Sequence, residues 1–393
     1  MLLVLFWVST GLLAWVYVGY PVVVAALGRI APVRLHASGP LPRLTVAIAV
    51  HNEAGEIEAR VSDAFAQEAS GAPIHEVLVG SDGSTDGTDA IVRRQALSEP
   101  RLRLLNLARS GQTPTQHALF EAARGEVVVL TDAETRFAPG CLAELAEVFR
   151  DPRVGCATGR LEWRAEDATS TSANEGLYWR YERWVRAQES RAGVMTAVTG
   201  AILAVRRSAY RPVPASASMD HLLPLYIREA GGLVVYVPQA LASDRPISGL
   251  REQLRNRTRT ATRGIRANLS MVVRLAPWRQ PKTAMAIWSH KLIRWATPWL
   301  ILVAGVTGGL VAASGAPAHA VVPLGLLLGA LAAGVGHLVA GAGRRPLRVL
   351  AFARAFIVVN LAFARAWIDV VRGRRIDTWQ RTEVDVAPGR VDA

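Results

Sequence analysis

An α/β domain on a mostly parallel, doubly wound sheet, flanked by transmembrane helices, is the fold class this sequence predicts. Three observations point to it. Between residues 43 and 270, short runs of branched apolar residues alternate with stretches of helical composition. Residues 1–28 and 296–343 contain no Asp, Glu, Lys or Arg, and each exceeds the ~20 residues needed to cross a bilayer. The run Val127-Val128-Val129-Leu130 stops at Thr131-Asp132-Ala133-Glu134. Parallel strands of an open α/β sheet deliver chemistry at such carboxyl ends.

The N-terminal stretch reads as a retained anchor. A signal peptide fits it poorly, because there is no basic leading segment, the apolar run is too long, and no small-residue cleavage site follows. Spans are expected at 3–27, 296–316 and 320–341. Arginines cluster beside them, as Arg29, Arg34 and Arg43, then Arg344, Arg345 and Arg348, then Arg372, Arg374 and Arg375. The positive-inside rule places these flanks, and the domain at 43–270, on the cytoplasmic side of a multi-pass cell-membrane protein. Residues 283–295, with Trp288 and Trp295, read as an interfacial segment.

The stretch 349–371 is apolar but carries Arg354, Arg365, Asp369 and Arg372. At ~100° per residue Arg354 and Arg365 fall about 20° apart. One charged stripe suggests an amphipathic helix lying in the interface. A further span with arginines on one face is the alternative. Residues 376–393 form a C-terminal tail.

The net charge of +13 belongs to these membrane flanks. No nucleic-acid motif accompanies it. The two cysteines, Cys141 and Cys156, make neither a disulfide framework nor a metal spacing.

Within the domain, Leu44–Val50 is a β-rich run ending at His51-Asn52-Glu53. Residues 56–68 are helical in composition. A short strand at 76–79 leads into Gly80-Ser81-Asp82-Gly83-Ser84-Thr85-Asp86. A helix over 88–98, a strand over 102–107, a helix over 114–123 and the strand at 127–130 complete a β-α-β-α-β-α-β alternation. Polar clusters recur at the strand ends, where a nucleotide would bind. Asp82 to Asp86 also suits a plain turn and helix cap. Paired carboxylates after the fourth strand offer hard oxygens to Mg²⁺ or Mn²⁺. Neither a phosphate-binding P-loop nor a Rossmann glycine triplet is present.

The order V-H-N-E (50–53), V-G-S-D-G-S-T-D (79–86), T-D-A-E-T-R-F (131–137) and M-D-H-L-L-P-L (219–225) resembles the family 2 glycosyltransferases. The resemblance covers about residues 44–270. It implies the GT-A fold and a nucleotide-diphosphate sugar as donor, a UDP-sugar foremost. Asn52, Glu53 and Asp82 would contact the nucleoside. Asp132 would be the first acid of the family's D-x-D motif, and Glu134 the second, at a position where Asp is frequent. Together they would hold the cation. Thr199-Gly200-Ala201 resembles the segment lining the acceptor side, with Gly200 among the sugar contacts. Asp220 matches the base that deprotonates the acceptor hydroxyl, and direct displacement would invert the anomeric centre.

The run Arg251–Arg266 stands where processive synthases carry Q-x-x-R-W, which this chain lacks. Arg257-Thr258-Arg259 resembles the K/R-x-R form of members that add single sugars. Its cations would offset diphosphate charge. Gln112, His117 and Met219 depart from the family's usual residues. The aromatic cluster at Tyr178, Trp179, Tyr181 and Trp184 suits core, membrane contact or an acceptor platform equally. The expected function is transfer of one sugar to a lipid-linked or polysaccharide acceptor at the membrane. A processive synthase and a non-catalytic scaffold built on such a domain are the alternatives.

Overall fold

A computed structural model describes residues 1–163, 170–245, 249–344 and 346–374, with side chains for all of these but 170–178. The expected tail at 376–393, Arg345 and Arg375, and the side chain of Tyr178 lie outside the described residues. The N-terminal helix comprises α1 Leu2–Ala14 and α2 Tyr20–Ile30, joined by a π-helical turn at Trp15–Gly19. The domain then runs β1 Leu44–Val50, α3 Ile57–Ala66, β2 Ile74–Asp82, α4 Thr88–Ala96, β3 Leu102–Leu107, α5 Gln112–Ala122 and β4 Val127–Thr131. It continues through β5 Arg136–Phe137, α6 Cys141–Val148, β6 Val154–Trp163, α7 Ser170–Ala192, β7 Leu203–Arg206, α8 Met219–Glu229, β8 Leu233–Asp244 and α9 Leu250–Met271. Apolar helices follow: α10 Pro281–Ala286, prolonged as a π-helix over Ile287–Ile293, then α11 Thr297–Ala313, α12 Val321–Gly341 and α13 Arg348–Val371.

The eight strands form one sheet in the order β3-β2-β1-β4-β7-β6-β8-β5. The first four are mutually parallel. β7 then runs antiparallel to both β4 and β6, while β6 and β8 are parallel. The sheet is therefore mixed, parallel in its sequence-local half. β1 is buried at all seven positions, as a strand covered on both faces must be. Leu44, Val46, Ile48 and Val50 join the core cluster that includes residues of α3 and α6, and Ala47 and Ala49 join the one that includes α5 and α8. Helices thus cover both faces. The two cysteines are free and buried.

Among the described residues, three helical segments are long and apolar enough to cross a membrane: Leu2–Ile30, Pro317–Gly341 and Arg348–Val371. The span expected at 296–316 forms α11, 17 residues long. It qualifies only together with Pro281–Ile293, from which it is bent by 65°. The stretch expected to be interfacial or a further span, α13, meets the length and hydropathy criteria for a span. Its buried side includes Ala362, Ala366 and Asp369, and Ala366 packs with Ala261 and Ile265 of α9 and with Trp295. Small residues let two helix backbones approach closely.

A buried polar network ties the N-terminal helix to the domain. Glu189 of α7 accepts from Tyr20 Oη at 2.5 Å and pairs with His290 Nδ1 at 2.7 Å. Glu182 pairs with Arg294 and, at 3.4 Å, with His290 Nε2. Buried charges persist when they find such partners. Tyr181, from the aromatic cluster, donates to the Tyr17 carbonyl at 3.0 Å. It serves this junction. Trp179 meets Trp163 edge-on, and Trp184 is exposed.

Candidate active site

The carboxyl ends of β1, β2 and β4 lie side by side. Register sets Val50 beside Ser81 and Ile48 beside Thr131, so the polar residues that follow each strand converge on one rim. Asn52 has φ +56°, the one non-glycine residue with positive φ among the described residues. Asn tolerates that region better than most side chains. The bend lets Asn52 Oδ1 accept from Thr85 N–H at 2.8 Å, while its own N–H donates to Ser84 Oγ at 3.1 Å. Glu53 is buried, and its N–H donates to Thr88 Oγ1 at 2.9 Å. The loops after β1 and β2 therefore form one braced ledge.

Asp82 is fully buried at the end of β2. Its Oδ1 accepts from Ser110 N–H at 2.6 Å, and its Oδ2 accepts from Gly111 N–H at 3.0 Å and pairs with Arg109. This carboxylate holds the loop leading into α5. Most of its acceptor capacity is engaged there.

Asp132 and Glu134 follow β4 with Ala133 buried between them. Burial, then the charges of Glu134 and Asp220, push the Asp132 carboxyl up to about 6; Arg259 and Arg60 partly offset this. Asp132 is thus acted on by both other carboxylates, and an arginine from α9 acts on Asp132 and Asp220. Burial lowers the Arg259 guanidinium, while Asp132 and Asp220 draw it back up. Its Nη2 also donates to Asn256 Oδ1 at 2.8 Å. Arg257 sits two residues away, about 200° round the same helix.

Asp220 occupies the first turn of α8. Its carbonyl accepts from Val198 N–H at 3.2 Å, which ties α8 to the segment before Gly200. A Cβ built on Gly200 would lie 3.7 Å from Asp220 Oδ2, so the two face each other. Desolvation would raise the Asp220 carboxyl, but His221, Ser218 and Arg263 outweigh it and hold the group down at about 2. It is ionised at neutral pH, the form a base requires.

Arg263 and His221 were not among the candidates from sequence. Helical spacing carries the signal for Arg263, since i and i+4 share a face and Arg259 is already placed toward the carboxylates. Two of the residues noted as departures, Met219 and His117, have structural partners. Met219 is a core residue beside Leu223, and His117 Nδ1 bonds Tyr210 Oη at 2.7 Å.

The donor set suits a hard cation. Mg²⁺ is commonly held by one or two carboxylates with substrate phosphates and waters completing its shell. Among the described residues no three His, Cys, Asp or Glu side chains form a complete metal cage. Asp132 and Glu134 would supply the two-carboxylate form; burial first, then the charges of Glu134 and Asp220, raise Asp132, and a cation would offset those charges.

Residues 45–213 match the model described as glycosyl transferase family 2. An N-acetylglucosaminyltransferase of Neorhizobium galegae is 29% identical over 234 residues, 55% of this chain and 54% of that protein. One of Mesorhizobium japonicum is 29% identical over 248 residues, 58% of each. The chain thus spans little more than half the length of the curated relatives it matches. A mannosyltransferase, PcManGT from Pyrobaculum calidifontis, solved in complex with GDP-Man and Mn²⁺, superposes with TM-score 0.68 at 21% identity. It covers 94% of this chain and 100% of that one. That likeness is one of fold, and the fold is of the GT-A type.

Proposed function

We propose that this chain, which carries a family 2 glycosyltransferase domain, transfers one sugar from a nucleotide-diphosphate donor to a lipid-linked or polysaccharide acceptor, with inversion. The observation that carries the reading is the meeting of Asp132, Glu134, Asp220 and Arg259 at one rim of the sheet. Its setting is a membrane, with the domain on the cytoplasmic side. The named activity of the relatives makes N-acetylglucosamine the first sugar to test, carried on UDP.

The braced ledge of Asn52 and Glu53, with Asp82 behind it, would seat the nucleoside. Asp132 and Glu134 would hold Mg²⁺ or Mn²⁺, which when bound offsets diphosphate charge. Arg259, which acts on both Asp132 and Asp220, would stabilise the leaving group electrostatically. The acceptor oxygen forms its bond to the anomeric carbon as the bond to the diphosphate breaks. The diphosphate leaves with that electron pair, and the hydroxyl proton passes to Asp220.

The test is a screen of UDP- and GDP-sugars with purified full chain and Mn²⁺ or Mg²⁺, reading nucleotide release and the intact mass of products. Release from at least one donor, with product longer by one sugar, is expected. A ladder of lengths would replace single addition with processive synthesis. No release from any donor would favour the scaffold reading.

A further inference from the structure

The base candidate is held by more than its own backbone. Ser218 Oγ donates to Asp220 Oδ1, and His221 Nδ1 lies 3.1 Å from that same oxygen. An ionised carboxylate has no proton to give, so the imidazole must donate from Nδ1. Oδ1 is thus doubly occupied. Oδ2 is the oxygen that faces Gly200, where the absent side chain leaves room. His221 is itself confined. It is buried, and a Cβ built on Gly264 of α9 would lie 2.7 Å from its Cδ2 and 2.6 Å from the Trp295 ring. Glycine at 264 therefore admits the His221 ring between α8, α9 and Trp295, which stands where the membrane helices begin.

We propose that His221 is the positioning residue of the acceptor-side carboxylate, pinning Asp220 Oδ1 so that Oδ2 receives the proton. Gly264 and Trp295 fix the ring, so the membrane-proximal segment helps to hold the base. This rests on the reading of Asp220 as that base. Other charged groups acting on Asp220 include Arg263 and Arg259 from α9 and Asp132 after β4. None of them occupies the place of the imidazole.

The experiment compares wild type, His221→Leu, His221→Asn and Asp220→Asn as full chains in detergent. Asn keeps an N–H donor near the Nδ1 position, whereas Leu keeps only bulk. His221→Leu is expected to lower kcat about 10- to 100-fold, as misplacement of a reacting group does, with donor KM unchanged and the unfolding midpoint lowered by the loss of a buried hydrogen bond. His221→Asn should recover to within about fivefold of wild type. Nitrogen NMR of labelled histidine should show His221 protonated at Nδ1, with that signal altered in Asp220→Asn. A Leu variant within threefold of wild type, an Asn variant as impaired as Leu, or a bare Nδ1 would overturn the proposal. Should His221→Leu fail to fold, Gly264→Ala replaces it, with the same fall in kcat expected. Full turnover by Asp220→Asn would instead sink the base assignment itself. An inactive Asp220→Asn beside an unimpaired His221→Leu would sink only this inference.

Discussion

Asp132 carries the clearest electrostatic signature in the cleft. Burial, then the charges of Glu134 and Asp220, push its carboxyl up to about 6. A cation must displace that proton when pH lies below 6, so its affinity is linked to pH. The sign follows directly. Protonation competes at low pH, so Mn²⁺ affinity in the presence of a nucleotide-diphosphate sugar, whose diphosphate does not titrate in this range, should fall toward about tenfold per pH unit below 6 and level off above it. Calorimetry at pH 5, 6 and 7.5 checks this, and Asp132→Asn should remove the slope. Asp82 shows how far residue types alone carry. Its position at the end of β2 is readable from Val79-Gly80-Ser81, but its binding of Ser110 and Gly111 N–H is not. Those partners lie beyond an intervening helix and strand. Arg263 was hidden for another reason, since a run rich in arginines does not say which face of its helix turns inward.

At the scale of elements, the parallel half of the sheet was legible and the other half was not. The strands at 44–50 and 102–107 and the helices at 88–98 and 114–123 are found within two residues of expectation. Each β-α unit there packs on its sequence neighbours. The strand at 76–79 proved longer, Ile74–Asp82, because its ends are buried beside β1 and β3. β7 has only four residues, Leu203–Arg206, too short to show alternation. Its partners, β4 and β6, precede it by dozens of residues, so the pairing is long-range. α13 mixes arginines with a span-length apolar run, and only its packing on α9 shows why Ala362 and Ala366 stand where they do. Ala366→Leu should overpack that contact and destabilise by about 1–3 kcal/mol. Thermal unfolding in detergent measures it. A comparable substitution at exposed Leu361 should change little.

For the whole molecule, the N-terminal helix, the π-helical segment and the domain are joined by buried and part-buried side-chain bonds. Tyr20 and Trp15 of the N-terminal helix bond Glu189 of α7 and Ser289 of the π-helix, respectively. Trp295, a few residues on, packs at His221. Apolar composition makes the span-length helices Leu2–Ile30 and Pro317–Gly341 readable in the sequence. The polar junction is not readable, because Glu182, Glu189, His290 and Arg294 look like surface residues until their partners are known. The central claim is that one rim of the sheet binds a nucleotide-diphosphate sugar and presents it to a base at Asp220. The most direct measurement is donor affinity beside single-turnover transfer in wild type and Asp220→Asn. The account predicts an unchanged donor Kd with transfer slowed about 10²- to 10⁴-fold. An Asp220→Asn protein that transfers sugar at the wild-type rate would contradict it.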